Sequence, residues 1–411
     1  MRMFGGREGV FWVCLFLGAA GFLSGTARAQ EGKKKSGPEG LLWPPGWVER
    51  VLKEAILAHP GENVVFSPLQ VKLDLTLFRK FALKKSREKI DRFFGIRKGS
   101  EDLEFQKKIL LPGLQGMIRD KDFGFFWRLS MSCRAVPGPG TVLREDFLQA
   151  LRGIQVGPPP ERKEKLKVPP LRPGDLAWVS RLEFGAAWRE TFISKKDEKG
   201  RFFSFRPGVR YRRLPRGDPL GPGAWKDVVF LRYPGGRPCG YTGNLLYQAV
   251  SLELRRGFTF VVVLPREWKG LLPVLDKIGL EGRKRALRLE PMVMVDLFLP
   301  KFRAVYEDVQ FLSVLERSGL FEEGEPLSLL ASKSKNYLAA YLVSAGIEVE
   351  EMGIKGFSAS LLVGMACATN TYEVVKVDRP FLFYVFPPSG RDDPLLAGAV
   401  FDPGEVQKKE M

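Results

Sequence analysis

Apolar residues recur at helical spacing through Val48, Val51, Leu52, Ala55 and Ile56, which predicts a helix over 47–58. A short apolar run, Val64-Val65-Phe66, predicts a strand. Ser67-Pro68 then reads as a helix start, with the serine as cap and the proline in the first turn. Helical patterning continues to about Phe94, and a further helix is predicted over 102–118. Strands are predicted at 177–184, 228–232, 249–254, 258–264 and 293–299, the last two dense in β-branched and aromatic residues as buried strands are. Three Gly/Pro-rich stretches, 157–174, 214–223 and 234–243, punctuate this pattern. The first holds six prolines around the charged patch 161–167 and is expected to be a loop or a very short helix. With no internal repeat and no clean composition break, the pattern predicts one α+β domain over 45–404.

The ends read differently. Arg2 and Arg7 precede an apolar run from Val10 to Leu23, and Ala27-Arg28-Ala29 offers small residues where a signal peptidase reads. Residues 1–29 are therefore expected to be a signal peptide, 30–44 an N-terminal tail and 405–411 a C-terminal tail. No later stretch is long enough to cross a bilayer, so a secreted, extracellular, monomeric protein is expected. Beyond Cys14 the chain has Cys133, Cys239 and Cys367, an odd number that leaves at least one thiol free or paired to another molecule.

The formal charge of +18 falls to about +16 without residues 1–29, which carry three Arg and one Glu. Such a balance favours polyanions, and in an extracellular setting sulfated glycosaminoglycan or an acidic membrane surface rather than nucleic acid. Nucleic acid is disfavoured further by the lack of aromatic–basic stacking patterns.

Candidate chemistry is sparse. The one histidine, His59, precludes a Cys/His zinc set beyond a single imidazole. A Ser-His-Asp triad would have to use it, and no nucleophile-elbow pattern supports one. His59 reads instead as the cap at the C-terminal end of the 47–58 helix, where positive charge is favourable. No phosphate-cradling loop occurs. Neither catalytic residues, a metal site nor a cofactor is implied.

Several stretches, in order along the chain, resemble the serpins. Asn63-Val64-Val65-Phe66-Ser67-Pro68-Leu69 looks like that family's strand-to-helix segment at the base of its central sheet. Val295 to Phe302 is similar to a family strand ending in a Pro-Lys-Phe turn, and Glu348 to Gly353 resembles the hinge entering the reactive loop. Asp378–Phe383 with Gly398–Pro403 resembles the terminal strand pair, and Trp188 falls where the family has a tryptophan after its third central strand. The resemblance implies a large central mixed β-sheet, two further sheets, surrounding helices and an exposed reactive-centre loop. It implies no catalytic site, but a protease-inhibiting trap whose cleaved loop inserts as a new strand.

Carried residue by residue, the resemblance makes Glu351, Gly353, Ile354, Lys355 and Gly356 the hinge and Cys367-Ala368 the reactive bond. The inward-facing set on insertion would be Ile354, Gly356, Ser358, Ser360, Leu362 and Gly364. No Lys or Arg lies between Gly356 and Asn370, so the bait suits chymotrypsin- or elastase-like proteases. In the polar cluster beneath the sheet and at its upper opening, the matching positions are Ser67, Gln70, Ser180, Trp188 and Val343. Gln70, Ser180 and Val343 stand where serine, asparagine and histidine are usual. The proline-rich 157–174 replaces an amphipathic helix across the sheet face, which would expose apolar sheet surface if nothing else covered it. Ile354, Lys355 and Phe357 also depart from the usual hinge pattern.

Arg79, Lys80, Lys84, Lys85, Arg87, Lys89 and Arg92 form one basic cluster, Arg206, Arg210, Arg212, Arg213 and Arg216 a second, and Arg283, Lys284, Arg285 and Arg288 a third. Each is a candidate polyanion site or an ordinary solvated face. The expected partner is an extracellular serine protease; the alternative is a non-inhibitory serpin-fold binding or carrier protein.

Overall fold

Helix α1 (Trp47–Ala58) buries the predicted stripe, and His59 closes it, its backbone N–H donating to the Ala55 carbonyl at 3.0 Å. The computed structural model describes residues 46–93, 127–152, 167–190, 192, 198–204, 225–233, 238–267, 270–319, 327–332, 335–354, 373–388 and 394–404. The helix predicted over 102–118 lies outside them.

Strand β1 (Val64–Phe66) is wholly buried and leads into α2 (Pro68–Phe81), where Ser67 Oγ accepts from the Gln70 N–H at 3.0 Å. The helical run predicted to about 94 is two helices. Ala82 turns extended and bridges to Leu329 before α3 (Lys84–Phe93) begins. All of α2 from Pro68 to Leu75 is buried, including Lys72 and Asp74, so this is a central helix with no solvent face over its first two turns.

The remaining elements are β2 (Trp127–Pro137), α4 (Glu145–Arg152), β3 (Asp175–Ala187), β4 (Glu198–Phe203), β5 (Trp225–Tyr233), β6 (Pro238–Gly243), β7 (Tyr247–Glu253), β8 (Thr259–Pro265), α5 (Leu271–Glu281), α6 (Arg283–Ala286), β9 (Glu290–Pro300), β10 (Phe302–Asp308), α7 (Phe311–Arg317), β11 (Ser328–Leu329), β12 (Asn336–Glu350), β13 (Gly353–Ile354), β14 (Glu373–Lys376), β15 (Phe381–Phe386) and β16 (Leu396–Val400). The strands predicted at 177–184, 228–232, 249–254, 258–264 and 293–299 each fall on one of these.

One sheet has the order β10-β12-β3-β2, with β13 wedged between β12 and β3. β10–β12 and β2–β3 are antiparallel, whereas β12 and β3 run parallel from Tyr337↔Asp175 to Gly346↔Glu183. Parallel pairing is slightly weaker per residue than antiparallel, so this seam is the sheet's weak line. The expected two further sheets are joined: β9 pairs with β6 near its start and with β5 and β14 near its end, passing from one to the other. The apolar runs β8, β15 and β16 form the buried centre of this second system, with β1 at its edge. Asn63 fastens that edge to the chain's end. Its Oδ1 accepts from the Phe401 and Asp402 N–H groups at 2.8 and 3.0 Å, and its Nδ2 donates to the Asp402 carbonyl.

The outer face of the β12–β3 seam carries a small apolar cluster, Ala177, Val179, Ala340 and Leu342, all buried. Val168 and Leu171 pack on it. Val168 and Leu171 of the proline-rich stretch thus cover part of the sheet face that was expected to lie bare.

Candidate functional site

Above Gly346 and Glu183 the seam splits. β12 continues to Glu350, turns at Glu351-Met352, and returns as β13 into the gap. Ile354 pairs with Val349 on one side and Ala186 on the other; Gly353 pairs with Glu350 and Ala187. Ile354 is buried in the core. A Cβ on Gly353 would stand 2.3 Å from the Ala186 carbonyl oxygen and 2.6 Å from Ala187 Cα, so only glycine passes here.

Trp188 and Lys301 brace this entry. The Trp188 indole N–H donates to the Glu350 carbonyl at 2.8 Å, and its backbone N–H to the Met352 carbonyl at 3.1 Å. The Lys301 ammonium, from the Pro-Lys-Phe turn after β9, pairs with the Glu351 carboxylate. The predicted hinge residues Glu351, Gly353 and Ile354 therefore meet Trp188 at one place. Lys355, Gly356, Cys367 and Ala368 lie outside the described residues. The chain is described again from β14, which pairs in parallel with β9.

Beneath the seam, α2 presents a buried polar cluster to both strands. Asp74 is the hub. Its Oδ2 accepts from Ser180 Oγ–H of β3 and from the Tyr341 hydroxyl of β12 at 2.5 Å, and its Oδ1 accepts from Gln70 Nε2 at 2.9 Å. The Trp178 indole N–H donates to Ser180 Oγ at 3.3 Å. Burial pushes the Asp74 carboxyl up to about 6, while the hydrogen bonds from Ser180, Tyr341 and Gln70 pull it back toward the usual carboxylate range. The Tyr341 hydroxyl is driven far up by burial and by the charge of Asp74. Gln70 Oε1 meets no donor among the described residues. Val343, directly across the seam from Ser180, adds an apolar wall.

Ser67, Gln70, Ser180 and Val343 line one small cleft, and Asp74 and Tyr341, which bond to Gln70 and Ser180 there, are not among the residues singled out from sequence. A signal existed: Asp74 lies one helical turn after Gln70, on the same face.

Of the basic candidates, Lys80, Lys84, Lys85, Arg87 and Arg92 are exposed and Lys89 is half-buried. Arg79 grips Asp91 through Nε and Nη2. Arg210, Arg212 and Arg213 lie outside the described residues. In the third cluster Arg283 is buried on Glu49, its Nη1 at 2.8 and 3.0 Å from the two carboxylate oxygens, so it contributes no surface charge.

His59 faces Asp308 at 3.4 Å and Glu62 at 3.7 Å. Cys133 and Cys239 are buried thiols whose ionisation burial suppresses. Among the described residues no group of three or more His, Cys, Asp or Glu is placed to hold a metal, and no helix is long and apolar enough to cross a membrane.

A family model described as Serpin (serine protease inhibitor) matches residues 172–403. Serpin-Z10 of Arabidopsis thaliana is 29% identical over 249 residues, 57% of this chain and 59% of its own length. The plasma serine protease inhibitor of Mus musculus is 22% identical over 397 residues, 87% of this chain and 91% of its own. The solved structure of native protease nexin-1 with heparin shares the fold, with a TM-score of 0.66 at 17% identity, covering 88% of this chain and 98% of that one.

Proposed function

This chain belongs to the serpin family, and on that premise we propose that it is a secreted inhibitor of serine-type endopeptidases that works by inserting its cleaved loop. The observation that carries the proposal is the seating of Gly353 and Ile354 at the head of the parallel seam. Their register, carried forward, sets Ser358 between Leu182 and Ala345, and Ser360 between Ser180 and Val343. Every second residue would then face α2, and the inward set is Gly356, Ser358, Ser360, Leu362 and Gly364, which carries no charge. A strand entering there gains ladder bonds on both sides, and insertion of this kind releases strain held in the uncleaved fold.

Cleavage at Cys367-Ala368 fits a chymotrypsin- or elastase-like protease. Residues 1–29 are removed as a signal peptide, and 45–404 fold as the inhibitory domain. The exposed basic side chains of α2 and α3 form a face for sulfated glycosaminoglycan; the heparin in the similar solved structure supports that class of ligand.

Mixing the purified protein with chymotrypsin and with elastase tests the proposal. A trap leaves an SDS-resistant complex and a loop-cleaved form that melts at far higher temperature. Clean cleavage with neither result makes the protein a non-inhibitory serpin-fold binder instead.

A further inference from the structure

We propose that Asp74 is a proton-controlled latch on the seam between β3 and β12, closed when protonated and eased when ionised. It rests on the loop-insertion reading and adds a regulator to it. Three observations place the latch. Asp74 sits on α2 and bonds Ser180 on one strand and Tyr341 on the other, so the strands cannot part at this level without breaking one of those bonds. The seam is already split above it, by Gly353 and Ile354. A small cleft lined by Ser67, Gln70, Ser180, Tyr341, Val343 and Ser344 lies at the same level, where Gln70 Oε1 is buried without a donor.

The sign follows from linkage. In the closed sheet burial holds the Asp74 proton to about pH 6. Parting the strands admits water to the carboxylate and returns its affinity for protons toward that of an exposed aspartate, near 3.8. The closed sheet binds the proton more tightly, so acid favours closure and neutral pH favours opening. The titratable groups facing Asp74 are Tyr341 from β12 and Cys133 from β2, and burial holds both protonated throughout this range. Ser180 and Trp178 from β3 and Gln70 from α2 do not titrate. Lys72, two residues back on α2, lies on a different side of the helix.

The test is uptake of a synthetic peptide of residues 354–367 by the intact protein at pH 5.0 and pH 7.5, read as the rate at which a more heat-stable form accumulates. A two-unit change in proton affinity bounds the effect at roughly 100-fold, and uptake about tenfold faster at pH 7.5 is expected. Asp74→Asn, neutral and of the same shape, takes up peptide slowly at both pH values. Tyr341→Phe removes a donor that favours the carboxylate, so its pH profile shifts upward. Uptake by the wild type with the same pH profile as Asp74→Asn overturns the latch and leaves loop insertion standing. No uptake at either pH, with no heat-stable form after loop cleavage, overturns both.

Discussion

The indole N–H of Trp188 reaches across the split seam to the Glu350 carbonyl at 2.8 Å, tying the end of β3 to the turn that launches the hinge. Trp188 is buried and stacks edge-on against Phe192 and Phe260, so its ring is fixed whether or not that bond exists. Trp188→Phe keeps most of the packing and loses the bond. It should cost about 1 kcal/mol in urea unfolding and speed proteolysis near residue 354. Unchanged proteolysis there would show that the bond does not hold the hinge.

Gly353→Ala places a methyl against the Ala186 carbonyl and Ala187 Cα. The hinge should leave the seam, and a protease that the wild type traps should instead turn the variant over as substrate. The measurement is the number of inhibitor molecules consumed per protease trapped, which rises several-fold; an unaltered ratio contradicts the need for glycine.

Stability should follow the Asp74 proton. Its folded affinity, about 6, lies above the unfolded value of 3.8. The folded state therefore holds the proton more tightly, and stability present below about pH 4 is lost as pH rises through 6. The full loss is on the order of 3 kcal/mol, about 2 of it between pH 4.5 and 7.5, and urea titrations at those two pH values of wild type against Asp74→Asn isolate it. Parallel pH dependence in the two proteins would refute it.

Glu49 and Arg283 form an ion pair in which both side chains are nearly inaccessible, and the Tyr384 hydroxyl donates to the same carboxylate at 3.3 Å. Arg283→Ala strands Glu49 without its counter-charge, and a loss of about 3–5 kcal/mol is expected. Arg285→Ala and Arg288→Ala, on exposed positions, should change stability by less than about 0.5 kcal/mol. Thermal unfolding of the three variants makes the comparison.

Replacing Lys84, Lys85 and Arg87 together by Ala should lower the salt at which the protein leaves heparin. Arg79→Ala, which breaks a fork onto Asp91, should show mainly as reduced stability. Identical elution of the triple variant and the wild type removes α3 from the binding face.

Much of this architecture could be read from the chain because its signals are local. The α1 stripe, the Ser67-Pro68 start of α2 and the β8 and β9 runs are each decided by neighbours in sequence. The break at Ala82 was not legible, since it depends on a bridge to Leu329, nearly 250 residues away. Asp74 shares a helix face with Gln70, but the meeting of a helix and two strands at Asp74 and Tyr341 rests on contacts more than 100 residues apart in sequence. Arg283 resembled its exposed neighbours until its partner on α1 was known. The covering of the sheet face by Val168 and Leu171 was equally a matter of distant packing.

Strand β9 touches both segments that flank residues 355–372. β14 lies along it from Val295 to Phe298, and Lys301, one residue past its end, grasps Glu351. The flank before residue 355 is thus held in the first sheet by β12 and β3 and tied to the end of β9 through Lys301, while the flank after 372 lies along β9 itself, so β9 links the two sheets at this point. Under the proposed trap, a cut beyond residue 355 would leave the downstream piece paired to β9, while Gly353 and Ile354, already seated between β12 and β3, would lead the upstream piece into the seam without Lys301 letting go of Glu351.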